Sequence, residues 1–143
     1  KKIYLMIAGE GPEEGYIKEH ESQYIIPLGR LQFSDIVGLL KESDVFCLPS
    51  VSEGFSTSAL EAAACKCYII TTKRGGTKEL VADEEYGIVM EDNSIESIYN
   101  ALLKVADDES VRKKGTEMCY NKLQNKFTWE KTVDELERLV DEV

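Results

Sequence analysis

Two glutamates separated by seven residues, Glu53 and Glu61, frame the part of the sequence richest in residues that could do chemistry. Between them lie Gly54, Ser56 and Thr57, small residues at the start of a predicted helix. The first N–H groups of a helix have no partner inside the helix, so such a start is suited to an anion, for example a diphosphate. Carboxylates only accept hydrogen bonds, and they suit sugar hydroxyls, which donate them. The spacing favours a binding site for a ligand that carries both a diphosphate and sugar hydroxyls.

The same residues also allow a purely structural interpretation. Ser58 and Glu61 have the spacing of a capping box, in which the glutamate closes the helix end. Glu53 and Gly54 could form an ordinary loop turn. The spacing alone leaves both interpretations open.

A glycine-containing loop follows the first predicted strand and invites comparison with a dinucleotide-binding fingerprint. Gly9 and Gly11 match its first two glycines, but position 14 is Glu, and no acidic residue ends the second strand. Arg30, at that strand end, could still face a 2′-phosphate. Pro and Ser at positions 49–50 stand where a phospho-receiver domain needs Asp, and no G-x-S-x-G hydrolase elbow is present. These three enzyme and switch classes are therefore disfavoured.

Basic residues accumulate just after the helix that begins near Ser58. Residues 62–78 carry four of them and no acid, namely Lys66, Lys73, Arg74 and Lys78. This segment is therefore locally positive, in contrast to the acidic chain as a whole, and it follows the candidate anion site. Residues 112–126 are also basic and are interpreted as a solvated helix face, so basic runs discriminate weakly.

The elements that must position these loops alternate between strands and helices. Apolar runs predict strands at residues 3–8, 24–28, 44–48, 68–71 and 87–90, and helices are predicted at 13–21, 34–43, 58–65 and 77–81. Continuous apolar runs are typical of a parallel sheet covered on both faces, and the alternation predicts a doubly wound α/β fold. Pro27 favours a sheet edge for the second strand. Ligands of such sheets bind beyond the carboxyl ends of the strands.

The last third of the chain has a helical pattern only. Helices are predicted from about residue 95, with Asn93 and Glu96 as a capping box, from about 110 to 123, and from about 128 onward. The third of these helices carries apolar residues on one face, namely Val133, Leu136, Val140 and Val143. We expect an α/β domain with a C-terminal helical tail.

The composition of the chain disfavours several classes of partner. Seventeen basic and 27 acidic residues give a net charge of −10, which disfavours nucleic acid and anionic membrane surfaces. The longest apolar run has about six residues, far short of the roughly 20 that span a bilayer.

Of the four cysteines, only Cys65 and Cys67 are close together, and the single histidine is His20. Buried thiols in a reducing compartment fit this pattern better than a zinc site does.

Taken together, three consecutive segments resemble the family-4 glycosyltransferases of GT-B fold. They are residues 44–50 (DVFCLPS), 52–56 (SEGFS) and 59–65 (ALEAAAC). Glu53 and Glu61 match the E-x7-E motif of that family. Further matches follow in order at residues 8–12 (AGEGP), 28–29 (LG), 75–79 (GGTKE), 87–89 (GIV) and 127–129 (FTW). The resemblance covers essentially the whole chain.

The resemblance implies that residues 1–143 are a single, partial nucleotide-sugar-binding domain, the Rossmann-like C-terminal half of a two-lobed enzyme. Enzymes of this family take a sugar from a nucleotide-diphosphate sugar, retain the anomeric configuration and need no metal or other cofactor. A hexosyltransferase of polysaccharide biosynthesis in the cytoplasm is implied, with an acceptor-binding lobe as partner. Any peripheral membrane contact would belong to that lobe.

The resemblance also assigns roles to individual residues. Glu53 is the implied catalytic residue, beside the hydroxyls of the donor sugar, and Glu61 would hold the ribose hydroxyls. The backbone of four residues would approach the sugar and the diphosphate, namely Gly54, Phe55, Ser56 and Thr57.

Four further donor-binding residues are implied on the loops after the first two strands. The backbone of Arg30 and Leu31 would border the base. Gly9 and Gly11 would belong to the same donor site. A non-catalytic α/β nucleotide-binding or assembly module remains the alternative to a transferase.

The sequence departs from the family in two respects. The family often has Gly at the position of Ser56, and it favours Gly and Pro where Lys66 and Tyr68 stand. Its donor domain also opens with one more strand and a basic clamp for the diphosphate, and this sequence begins at the next strand. We expect the strand order second, first, third, fourth, fifth, with the first and third closing up or filled by another chain. We also expect no acceptor lobe in this chain and no turnover by it alone.

Overall fold

The computed structural model describes residues 2–142 as five strands and seven helices that alternate until the helical tail begins. In chain order they are β1 (Leu5–Ala8), α1 (Glu14–Glu19), β2 (Ile25–Gly29), α2 (Phe33–Lys41), β3 (Val45–Leu48), α3 (Thr57–Ala64), β4 (Tyr68–Thr72), α4 (Thr77–Leu80), β5 (Gly87–Met90), α5 (Ile95–Ala106), α6 (Glu109–Lys126) and α7 (Trp129–Asp141). Each predicted element is present, with its ends shifted by a few residues at most.

The strands form two parallel sheets, one containing β1 and β2 and the other ordered β3-β4-β5. The predicted neighbours β1 and β3 share no ladder within residues 2–142. Of the two alternatives expected for these strands, closing up is therefore wrong, and filling by another chain stays a prediction. Pro27 lies in β2 opposite Ile7, just before the register shifts. In the part of the chain that the structure describes, β2 pairs with β1 only, which confirms the edge position predicted from Pro27.

The core is built around β4, which is buried along its whole length. Alternate residues of a strand point to opposite faces. Ile69 accordingly packs among alanines of α3 and residues of α4 and α6, whereas Tyr68 and Ile70 pack with Ala101 and Val105 of α5. Helices on both faces of the β3-β4-β5 sheet confirm the doubly wound α/β fold.

The β1–β2 sheet is far less covered. The side chains at the start of β1 and just before it are about half exposed, with Leu5 at 49% and Tyr4 at 52%. Burial on both faces, expected from the continuous apolar run, is therefore wrong for β1. Within the described residues, β1 and β2 pair only with each other, so the outer edge of each strand has no neighbouring strand. Few residues therefore pack against this two-stranded sheet.

Lys66, where the resembled family has glycine, adopts a left-handed backbone conformation with φ 64°. The Lys66 N–H donates to the Ala63 carbonyl at 3.1 Å, and the Cys67 N–H donates to the Ala62 carbonyl at 2.9 Å. These two bonds form a Schellman motif that ends α3. The left-handed backbone conformation is strained for lysine, whereas glycine would adopt it without strain. The Lys66 Nζ atom forms an ion pair with Glu117 at 3.0 Å.

The helix α5 is capped by Ser94 and not by the predicted Asn93. The Ser94 hydroxyl accepts a hydrogen bond from the Ser97 N–H at 3.2 Å. The Asp92 carboxylate accepts from the hydroxyls of Ser94 and Ser97, both at 2.6 Å. These donors, Ser94 first, lower the pKa of Asp92 to about 2. The predicted pair of Asn93 and Glu96 is one residue too early.

All four cysteines are free thiols. Cys67 and Cys119 are buried, as predicted, whereas Cys47 and Cys65 are only partly so. Burial raises the pKa of Cys67 to about 12 and that of Cys119 to about 11. Both buried thiols are thus protonated near neutral pH and act as small apolar core groups.

The helical tail packs through α5 and α6, while α7 stays largely uncovered. Its apolar face carries exposed side chains, among them Trp129 at 83% and Val140 at 74%. Val143, predicted to continue this face, lies outside the described residues. None of the helices in the range 2–142 has the length and apolar composition needed to cross a bilayer.

Candidate functional site

The loop between β3 and α3 carries Glu53 at the carboxyl end of the three-stranded sheet. The Glu53 side chain is half-buried, and the Ser50 hydroxyl donates a hydrogen bond to its Oε1 atom at 2.6 Å. Ser50 is itself held from β4, because the Thr72 hydroxyl donates to the Ser50 carbonyl at 2.7 Å. The sequence indicated Glu53 but not these two supporting hydroxyls.

The start of α3 leaves hydrogen-bond donors for a ligand. The buried Ser56 is the N-cap, and its hydroxyl accepts from the Ala59 N–H at 3.3 Å. Thr57 and Ser58 open the helix, and their N–H groups have no acceptor within residues 2–142. These two amides are the donors that the sequence predicted for an anion.

Glu61 does not close the helix end. Because Ser56 is the cap, Glu61 is the fifth residue of α3, and the capping box proposed for Ser58 and Glu61 is wrong. The half-buried Glu61 carboxylate has no hydrogen-bond or ion-pair partner among the residues described. It is therefore available to a ligand that donates hydrogen bonds.

The loop after β4 lies directly against the Glu53 loop. The Gly76 N–H donates to the Gly54 carbonyl at 2.7 Å. Gly75 has φ +66°, and a Cβ atom there would collide with the backbone carbonyls of Glu53 and Gly54. Glycine is thus required at position 75 both by conformation and by space. The paired glycines were a visible turn signal, but the sequence did not show which loop they would contact.

Phe55 anchors the same loop through its ring. The ring packs against Phe127, with centroids 5.2 Å apart, and it fills the space where a Cβ atom of Gly76 would stand. Phe127 immediately precedes the α7 N-cap. The ring of Phe55 is thus engaged in packing, which leaves its backbone for the donor-binding role implied by the resemblance.

The predicted residues on the first two loops form a second group. The Gly9 N–H donates to the Gly29 carbonyl at 2.8 Å, which joins the loops after β1 and β2. Gly11 and Arg30 are exposed, and Leu31 is half-buried. No hydrogen bond within the described range joins this group to the residues around Glu53. The structure brings the predicted residues together as two clusters.

The basic stretch is partly neutralised. Lys66 pairs with Glu117, and Lys73 pairs with Glu91. Lys73 and Lys78 also line a surface groove of about 470 Å³ beside β5, which includes neither Glu53 nor Glu61. The lining of this groove is thus distinct from the residues around the two glutamates.

The chain is similar to known glycosyltransferases. Residues 1–122 match the family described as glycosyl transferases group 1. The chain is 29% identical over 146 residues to an uncharacterised glycosyltransferase of Methanocaldococcus jannaschii, covering 99% of this chain and 37% of that protein. It is 40% identical over 106 residues to the UDP-Gal:alpha-D-GlcNAc-diphosphoundecaprenol alpha-1,3-galactosyltransferase of Escherichia coli, covering 74% and 27% respectively.

A solved structure with the same fold is that of the Anabaena protein HepE in complex with UDP and glucose. It has a TM-score of 0.82 at 18% identity, and the match covers 98% of this chain and 41% of that one. The chain thus spans well under half of each of these proteins. Its parallel sheets and flanking helices are the Rossmann-like half of a GT-B fold, and its family match extends over most of its length. The chain therefore belongs to the glycosyl transferases group 1 family.

Proposed function

We propose that this chain is the donor-binding domain of a retaining family-4 glycosyltransferase. The enzyme transfers a hexose from a nucleotide-diphosphate sugar to a glycan, lipid or other acceptor, in the cytoplasm and without a metal. The acceptor-binding lobe belongs to the remainder of the protein, so the 143-residue chain alone does not turn over. The domain itself makes no contact with a membrane or nucleic acid.

One observation carries the proposal: two half-buried carboxylates lie on either side of a helix start that has unused N–H donors. The amides of Thr57 and Ser58 have no acceptor within residues 2–142, and the Glu61 carboxylate likewise has no partner there. One stretch of chain thus offers donors for a diphosphate and acceptors for sugar hydroxyls. The UDP and glucose bound by HepE, and the UDP-Gal in the name of the E. coli relative, support a ligand of this class.

The proposed mechanism uses both the N–H donors at the start of α3 and the carboxylate acceptors on either side of it. Negative charge develops on the diphosphate as its bond to the sugar breaks, and fixed N–H groups of α3 stabilise that charge without having to reorient. Glu61 orients the nucleotide through its ribose hydroxyls. Glu53 holds the hydroxyls of the donor sugar so that its anomeric carbon faces the acceptor. The backbone of Arg30 and Leu31 borders the base from a neighbouring loop, and Gly9 and Gly11 belong to the same donor site.

Nucleotide binding provides the first test. Calorimetry with UDP, GDP and ADP should detect one of them binding to the chain, and Glu61→Ala should weaken that binding by roughly tenfold or more, because a hydrogen bond to a charged group is lost. Glu137→Ala, which removes an exposed carboxylate from α7, is the charge-matched control and should leave binding unchanged. Absence of binding to the whole protein as its gene encodes it would favour the non-catalytic module.

Sugar transfer by the whole protein provides the second part of the test. Glu53→Ala should lower kcat for transfer much more than it lowers nucleotide affinity, because Glu53 contacts the sugar and not the nucleotide. If transfer and affinity fall by the same factor, the proposed role of Glu53 is wrong.

A further inference from the structure

We propose that Ser50 and Thr72 are positioning residues for Glu53. They form a relay of two hydrogen bonds that fixes the carboxylate from the buried strand β4. The inference rests on the proposed function of Glu53 and adds two residues to it that do not themselves contact the donor.

The relay begins in the best-buried element of the fold. Thr72 is the last residue of β4 and is 2% exposed. Its hydroxyl donates to the Ser50 carbonyl at 2.7 Å, which ties the loop after β3 to the end of β4. The Ser50 hydroxyl then donates to Oε1 of Glu53 at 2.6 Å. The carboxylate is thus linked to the core through two side chains.

The direction of these bonds decides what Glu53 can offer. An ionised carboxylate only accepts, so the Ser50 hydroxyl is the donor and occupies Oε1. The Oε2 atom receives no hydrogen bond from the described residues. It remains for a hydroxyl that a sugar would donate. Ser50 therefore selects which oxygen of Glu53 faces the ligand and limits the rotamers of a side chain that would otherwise be mobile.

The backbone of the loop has a support of its own. The hydrogen bond from the Gly76 N–H to the Gly54 carbonyl, at 2.7 Å, holds the loop without involving Ser50. The Phe55 ring also packs on Phe127. Removing the Ser50 hydroxyl should therefore release the carboxylate while the loop stays in place. This separation predicts a loss of catalytic rate with little loss of nucleotide affinity.

The test compares variants of the whole protein in sugar transfer and in nucleotide binding. Ser50→Ala should lower kcat roughly tenfold, as expected for a hydrogen bond to a charged group, with the nucleotide Kd changed by less than about twofold. Ser50→Thr, which keeps the hydroxyl, should restore most of the rate. Thr72→Val, which keeps the shape and removes the donor, should lower kcat by a few-fold. Ser43→Ala deletes another partly buried hydroxyl, on the C-terminal side of α2, and should change neither quantity.

A double-mutant cycle separates positioning from general stability. In a Glu53→Ala background, Ser50→Ala should have no further effect on kcat, because the group that it positions is absent. An equal loss in both backgrounds, or no loss in the wild-type background, would overturn the proposal. If Ser50→Ala does not fold, Thr72→Val replaces it in the same cycle with the same criteria. A Glu53→Ala variant with undiminished transfer would instead show that the proposed function of Glu53 has failed.

Discussion

At Gly75 the backbone turns in a left-handed conformation while touching the carbonyls of Glu53 and Gly54. Any side chain would have to push the two loops apart, and it would also adopt a backbone angle that L-residues avoid. The position of the proposed catalytic loop therefore depends on a residue that makes no side-chain contact at all.

We expect Gly75→Ala to lower the free energy of unfolding by at least about 1–2 kcal/mol, the cost of a left-handed alanine, and to weaken nucleotide binding. Gly38→Ala is the matched control, because Gly38 lies inside α2 with open space around it. That change should raise stability by about 0.5–1 kcal/mol through helix propensity. Urea unfolding with calorimetry on both variants measures the contrast, and effects of the same sign would contradict it.

At the scale of single residues, the local spacing of Glu53 and Glu61 and the family resemblance indicated them as candidates, and their roles stay predictions. The sequence was not sufficient to find Ser50, Thr72 or Gly75 as their supports. Those contacts join loops that follow different strands, and only the packed sheet brings these loops together.

At the scale of single elements, the N-cap of α5 shows how the start of a helix is fixed. At the start of α5, three consecutive residues, Asp92, Asn93 and Ser94, all belong to types that cap helices well. The structure uses Ser94 as the cap and Asp92 as its support, with both serine hydroxyls donating to the carboxylate. These hydrogen bonds favour the charged form of Asp92, which is why its pKa falls to about 2.

This lowered pKa predicts a pH dependence. A carboxyl whose folded pKa lies below its unfolded value, near 3.8, stabilises the fold above pH 3.8, and this contribution is lost as the pH falls through about 2. Asp92→Asn should therefore lower Tm at pH 7, and its difference from the wild type should shrink between pH 4 and pH 2. Asn93→Ala should leave Tm unchanged, because Asn93 is not the cap. A Tm loss for Asp92→Asn that is the same at every pH would exclude this explanation.

The elements themselves were predictable, and their exact starts were not. Each strand is a clear apolar run and each long helix has a clear period, so their existence follows from local sequence. The cap of α3 is Ser56, whereas one of the two interpretations of the sequence placed it at Ser58, and the cap of α5 is Ser94 where Asn93 was expected. Neighbouring residues of similar capping ability differ only in the backbone angles that the fold gives them.

At the scale of the whole molecule, the division of the sheet is the main feature. The apolar run of β1 predicted coverage on both faces, but β1 pairs only with β2 in the described chain and stays half exposed. The order of the strands came from the family resemblance, because composition and periodicity do not specify which strands are neighbours.

Hydrogen exchange should distinguish the two sheets. The Leu5 N–H donates to the Tyr24 carbonyl at 2.7 Å, and the Tyr68 N–H donates to the Asp44 carbonyl at 2.9 Å, so both amides enter parallel ladders with similar geometry. Tyr68 is 1% exposed and Leu5 is 49% exposed. We expect the Leu5 amide to exchange at least about 100-fold faster in the native state, by local opening. Equal protection of the two amides would show that the sheets open as one unit.

The exposure of Trp129 has a spectroscopic consequence. It is the one tryptophan of the sequence, and its indole lies in water at the start of α7, remote in sequence from the strands that form the core. The indole emission of the folded chain is therefore already that of a solvated ring, and loss of the core leaves it almost unchanged. Fluorescence from this chain reports whether the apolar face of α7 is covered, whereas unfolding of the sheet has to be followed by circular dichroism.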